Sequence, residues 1–150
     1  MTGNWPGKVI IQTYKPDDPV IGYAARQDYR SFFEEEFRRR RTGLYPPFTQ
    51  IVRILAESPS EEMAEKAACM LEKETRRLID THREWEQRIL LLTNDVPSVK
   101  VLRGKHRRQL LIKLLVSRES DELISALTAL SRGETDDTEV WLEVNPTTMM

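Results

Sequence analysis

A chain of 150 residues makes one domain the default, with room for a short extra segment at an end. Hydrophobic residues at 39% and charged residues at 31% exclude a disordered chain. No apolar run approaches the ~18–20 residues needed to cross a bilayer. The formal net charge of −1 conceals a partition: Lys100 to Arg118 holds seven Lys/Arg and no carboxylate, whereas Glu119 to Met150 holds eight Asp/Glu and one base, Arg132. Such asymmetry predicts a local anion-binding surface on an otherwise neutral protein.

Met1 to Lys8 lacks the basic and apolar regions of a signal peptide. The single cysteine, Cys69, cannot form an internal disulfide; read as a small apolar residue on a helix face, it leaves only His82 and His106 as further soft ligands. These features describe a cytosolic protein without a metal centre.

Val9-Ile10-Ile11-Gln12-Thr13-Tyr14, closed by Pro16 and Asp17, predicts a buried strand. From Pro19, apolar residues at three- and four-residue spacing (Ile21, Ala24, Ala25, Tyr29, Phe32, Phe33, Phe37) predict one helix. Gly43 and Pro46-Pro47 end it, and a boundary is expected at residues 43–49. Ile51 to Ala56 predicts a strand. Ser58-Pro59-Ser60-Glu61 then resembles a capping box, with Ser58 as N-cap of a helix whose stripe is Met63, Ala64, Ala67, Met70, Leu71, Leu78 and Ile79. Ile89 to Leu92 and Gln109 to Val116 are two further strands, with a basic loop between them. Ser120 is placed to cap a helix carrying Leu123, Ile124, Leu127 and Leu130, ended by Gly133. Val140, Leu142 and Val144 alternate with Glu139, Trp141 and Glu143, predicting a last strand with one wet face. The order β-α-β-β-α-β is a split-βαβ arrangement of the α+β class, with two helices over one face of a mainly antiparallel sheet.

No phosphate-binding loop, dinucleotide fingerprint or zinc-protease motif occurs. The carboxylate runs Glu34-Glu35-Glu36 and Asp136-Asp137 belong on solvated surface, so no catalytic residue is assigned. The informative segment is the basic loop: Lys100, Arg103, Lys105, His106, Arg107 and Arg108 surround Gly104, and Lys113 follows in the next strand. Cations on a mobile loop suit a phosphate backbone. A second cluster, Arg38 to Arg41, follows the glutamates at i,i+4 spacing, so pairs such as Glu34–Arg38, Glu35–Arg39 and Glu36–Arg40 are expected to neutralise it. Of the tryptophans Trp5, Trp85 and Trp141, the last falls on the polar face of its strand, where packing against the leading segment is expected over the alternative, a platform for base stacking.

Val9 to Pro16, followed by Asp28-Tyr29, Phe32, Glu35, Arg40-Arg41 and Tyr45-Pro46-Pro47-Phe48, resembles the end of the second helicase lobe of the PriA (primosomal protein N′) family. Leu102 to Lys113 resembles that family's RGRYRWQLLLK segment, and Val140 to Pro146 its closing strand. The resemblance implies that residues 1–48 are a strand-helix remnant of the lobe and residues 49–150 a ribosomal S10-like C-terminal DNA-binding domain. It implies an ATP-dependent 3′-to-5′ replication-restart helicase acting at stalled forks. Its Walker motifs, zinc-binding cysteines and Gly-Arg-Ala-Gly-Arg motif lie upstream, so the chain is expected to be a piece without enzyme activity of its own. ATP, magnesium and zinc belong to the whole protein, and no cofactor to this stretch. The implied partners are single-stranded and forked DNA, the remainder of the helicase, other primosome proteins and single-stranded-DNA-binding protein, in the bacterial cytoplasm at the nucleoid and away from membranes. Lys100, Arg103, Lys105, His106, Arg107, Arg108 and Lys113 are the expected DNA contacts. His106 and Arg108 replace the family's aromatic pair, Asn94 to Ser98 keeps only the second proline of the family's lead-in, and Asn145-Pro146 replaces its Asp-Pro. Phosphate contact is therefore expected over base stacking. The competing reading is a protein-interaction module docking on the helicase core or on primosome proteins, with the basic loop incidental.

Overall fold

The computed structural model describes residues 7–132 and 137–147, so Trp5, the helix stop expected at Gly133, and Asp136 of the acidic pair lie outside the described residues. The chain divides into two compact units, Met1–Gly43 and Leu44–Met150.

In the first unit the expected single helix is two: α1, Pro19–Ala25, and α2, Tyr29–Thr42. Each has an aspartate cap. The Asp18 carboxylate accepts from the Val20 amide and the Asp28 carboxylate from the Ser31 amide. Between them Gln27 takes φ 54, a left-handed conformation that a continuous helix cannot pass through. Glu35 pairs with Arg39 and Glu36 with Arg40, as the spacing predicts, whereas Glu34 turns back to Arg30 and not forward to Arg38. The strand expected over Val9–Tyr14 does not form. A strand needs a neighbour for its backbone amides, and no other described segment of this unit is extended; Val9 and Ile10 are more than four-fifths exposed.

The second unit is built on β1 (Thr49–Ser58), β2 (Ile89–Asp95), β3 (Val101–Leu102), β4 (Lys105–Leu115) and β5 (Glu139–Val144). Strand order is β2-β4-β1-β5, with β3 on β4, and every pairing is antiparallel. Helices α3 (Glu61–Asp80) and α5 (Arg118–Ser131) form the crossovers, and a single turn, α4 (Arg83–Glu86), follows α3. This is the α+β, split βαββαβ arrangement expected from the periodicity.

The core lies on one sheet face. Val52 and Ile54 of β1 and Leu110, Ile112 and Leu114 of β4 meet Ile79, Trp85, Leu123 and Leu127 from the helices. Alternation along each strand places these residues on the same side. On α3 the buried stripe is Ala64, Ala67, Ala68, Thr75 and Ile79, whose three alanines let the helix approach the sheet. Met63 and Met70, expected in that stripe, fall outside it at 36% and 54% exposed, and Cys69 is exposed as well.

Both expected N-caps are displaced. Ser58 is fully buried as the last residue of β1, opposite His106, so Ser60 caps α3 through the Met63 amide. Ser117 caps α5, while Ser120 lies inside the helix and donates to the Leu115 carbonyl at 2.6 Å. At α3 the preceding strand runs two residues past its apolar run and moves the cap on, whereas β4 stops at Leu115 and lets α5 begin three residues earlier than its apolar stripe suggests. Tyr45-Pro46-Pro47-Phe48 closes a turn through the Phe48 amide and the Tyr45 carbonyl, with the Pro46-Pro47 peptide cis, and belongs to the second unit.

The carboxylates that brace α3 and α5 set an acid limit. The Asn94 amide, then Arg76, hold Glu72 below the ordinary glutamate range. Glu119 is held down by its own amide, then the Ser117 hydroxyl, with Arg88 and Arg118 adding to it. A carboxyl depressed by folding contributes stability that is complete above its unfolded value of about 4.3 and is lost as pH falls through the folded value. Urea midpoints are expected to hold steady from pH 7 to 5 and to drop below about 4.3. Glu72→Gln is expected to flatten part of that drop; an acid limb unchanged in Glu72→Gln and Glu119→Gln alike would disprove the assignment.

Candidate nucleic-acid interface

The segment expected to be a loop is largely strand. β4 begins at Lys105, and its first residues pair with β3 as Val101 with His106 and Leu102 with Lys105. Arg103 and Gly104 alone form the turn, with φ 51 and φ 80. Two consecutive left-handed residues make a type I′ turn, whose twist matches that of antiparallel strands. Gly104 meets this need freely, and nothing approaches the space its side chain would occupy. Apolar periodicity cannot show the extension, because Lys105, His106, Arg107 and Arg108 are polar on both faces of the strand.

The structure divides the seven expected contact residues. Lys100 and Arg103 are exposed, and neither is ion-paired with a described residue. Lys105 is half-buried, and its ammonium lies 2.5 Å from Glu139. His106 is half-buried. Arg107 is buried, its Nε 2.7 Å from Glu57 Oε1, an ion pair whose N–H is not aimed for a hydrogen bond. Its Nη1 also reaches the Val99 carbonyl. Arg108 points to the helix side and pairs with Glu61 and Glu65 of α3. Lys113 stands eight residues along β4 from Lys105, roughly 27 Å at strand rise, with its ammonium 5.4 Å from the centre of the Tyr45 ring. The cations left without an ion pair among the described residues are therefore Arg103 at the hairpin tip and Lys100 at the start of its first strand.

The sheet face opposite the helices is no stacking platform. Leu55, flanked in register by Gln109 and Trp141, is fully buried there. Arg53 is buried and donates to Glu143 Oε2 through Nε at 3.0 Å and Nη2 at 2.6 Å. The Trp141 indole N–H donates to Glu143 Oε1 at 3.2 Å, which ties the ring to this network. Of the wet face expected for β5, Trp141 and Glu143 are thus half-buried and bonded, while Glu139 stays exposed and pairs with Lys105. Neither spacing nor composition points to Glu57, Glu139 and Glu143 as the neutralising residues. The one signal for them is Arg53 and Glu57 standing in and beside the apolar Ile51–Ala56 run, since an ion in a buried strand requires a partner.

Among the described residues no helix is long and apolar enough to cross a membrane, and no cluster of three or more His, Cys, Asp or Glu could hold a metal ion.

No family model matches the chain. Part of it is similar to several curated proteins, each a replication restart protein PriA. That of Thermotoga maritima is 34% identical over 67 residues, covering 45% of this chain and 9% of that protein. The Borreliella burgdorferi protein is 43% identical over 58 residues, covering 39% and 9%. The Bacillus subtilis protein is 38% identical over 68 residues, covering 45% and 8%. The chain thus spans less than a tenth of the length of the curated relatives it matches. Among solved structures, a de novo designed ferredoxin-fold protein superposes on 66% of this chain and 86% of its own with a TM-score of 0.42 at 13% identity; the fold described above rests on the strand order itself.

Proposed function

We propose that the second unit is a DNA-contacting module of a replication-restart helicase, touching the phosphates of single-stranded or forked DNA with its β3–β4 hairpin tip. The similarity to replication restart proteins supports the setting. The observation that carries the contact is that Arg103 on the tight turn and Lys100 at the start of the same hairpin stand exposed, neither ion-paired with a described residue, where a phosphate can approach. Lys105 lends charge shared with Glu139. Arg107, Arg108 and Lys113 hold the fold and lie outside the contact set. In this reading ATP, magnesium and zinc are held by other parts of the helicase, and this module contributes substrate contact and not the chemical step.

Fluorescence anisotropy with a labelled single strand over a salt series tests the proposal. Lys100→Ala combined with Arg103→Ala is expected to weaken binding and to reduce the log–log salt slope by about 1.4, roughly 0.7 for each phosphate no longer neutralised. A folded double variant with the parent's affinity and slope would instead mark the unit as a protein-docking module.

A further inference from the structure

The hairpin tip carries apolar side chains beside its cations. Val101 and Leu102 are each nearly half exposed, between Lys100 and Arg103. In register, Leu102 stands opposite Lys105, whose long stem is the natural cover for an exposed leucine. That stem is drawn away. Its ammonium is 2.5 Å from Glu139 on β5, two strands across the sheet from β4, whereas β3 lies on the other side of β4. The charge pairing that holds the Lys105 ammonium across the sheet thus leaves Leu102 bare beside a turn with both central residues fixed in the left-handed region.

Resting on the DNA-contact reading, we propose that Leu102 is a wedge that enters the base stack at a junction between single- and double-stranded DNA. Apolar side chains inserted at a base step unstack it, and flanking cations hold the phosphates on either side. Lys100 and Arg103 are placed for that second task, one on each side of the Val101–Leu102 pair. Insertion costs least where a base has already lost its partner, so a branch point is the preferred substrate over an intact duplex or an unbranched strand.

The test uses the whole chain and a forked duplex carrying 2-aminopurine in the pair next to the branch. Binding is expected to raise the 2-aminopurine fluorescence as the step unstacks. Leu102→Ala, an exposed position whose loss leaves the core intact, is expected to abolish the rise and to cut the preference for the fork over a single strand about tenfold. Its single-strand affinity and salt slope should match the parent's. A Leu102→Ala chain that keeps both the rise and the preference overturns the wedge while leaving phosphate contact standing. A parent chain that binds neither DNA overturns the contact reading and the wedge with it.

Discussion

Arg107→Ala is expected to lower the stability of the second unit by about 3–5 kcal/mol, a loss read as a fall in the urea midpoint. Both partners of the Arg107–Glu57 pair are buried. Removing the guanidinium leaves Glu57 a buried charge whose other cross-strand neighbour is Glu139, also an acid. The Val99 carbonyl loses its guanidinium donor as well, and with it the segment leading to the hairpin loses an anchor. Replacing both partners with methionine separates the causes. A buried ion pair exchanged for apolar residues of similar volume is near neutral, so Arg107→Met with Glu57→Met is expected to recover most of the loss. A single variant as stable as the parent would show that Glu57 is solvated. At a temperature where the single variant remains folded, its salt slope for DNA should equal the parent's, because Arg107 is enclosed and offers phosphate nothing.

Leu110→Ala is expected to cost about 2–5 kcal/mol, the sum of lost transfer energy and of a cavity that strand pairing prevents from closing. Leu110 has no exposed surface and lies in β4, paired to Ile54 of β1 on one side and to Asn94 of β2 on the other. Against a typical domain stability of about 5–15 kcal/mol, that loss should shift the thermal midpoint by many degrees. Met70→Ala is the matched control. Sequence periodicity places Met70 in the same kind of apolar stripe, yet its side chain is more than half exposed, and its removal is expected to stay within about 0.5 kcal/mol. Equal losses at the two positions would contradict the packing described for α3.

Local structure follows from residue order alone. Alternation across Val140, Leu142 and Val144, and the three- and four-residue spacing of Ala64, Ala67, Leu71, Leu78 and Ile79, depend only on strand and helix periods. They suffice for the β-α-β-β-α-β order and the fold class. The similarity of part of the chain to replication restart proteins is likewise carried in residue identity. The concentration of cations from Lys100 to Lys113 is equally plain in the chain.

Tertiary structure decides which of those signals acts. Val9–Tyr14 has strand composition, but a strand exists only where a neighbour accepts its hydrogen bonds, and this segment has none among the described residues of its unit. Ser58 matches a capping box, yet pairing of β1 with β4 takes it into the sheet and passes the cap to Ser60. The division of the basic segment is the sharpest case. Arg108 is met by a glutamate 43 positions earlier and Lys105 by one 34 positions later. Charge counted along the chain forms one cluster, whereas the fold brings carboxylates from β1, α3 and β5 against three of its cations, Lys105, Arg107 and Arg108. Arg103 stays available because the two-residue turn carries it beyond the end of β1, and Lys100 because it lies across β4 from β1 and β5, away from their acids.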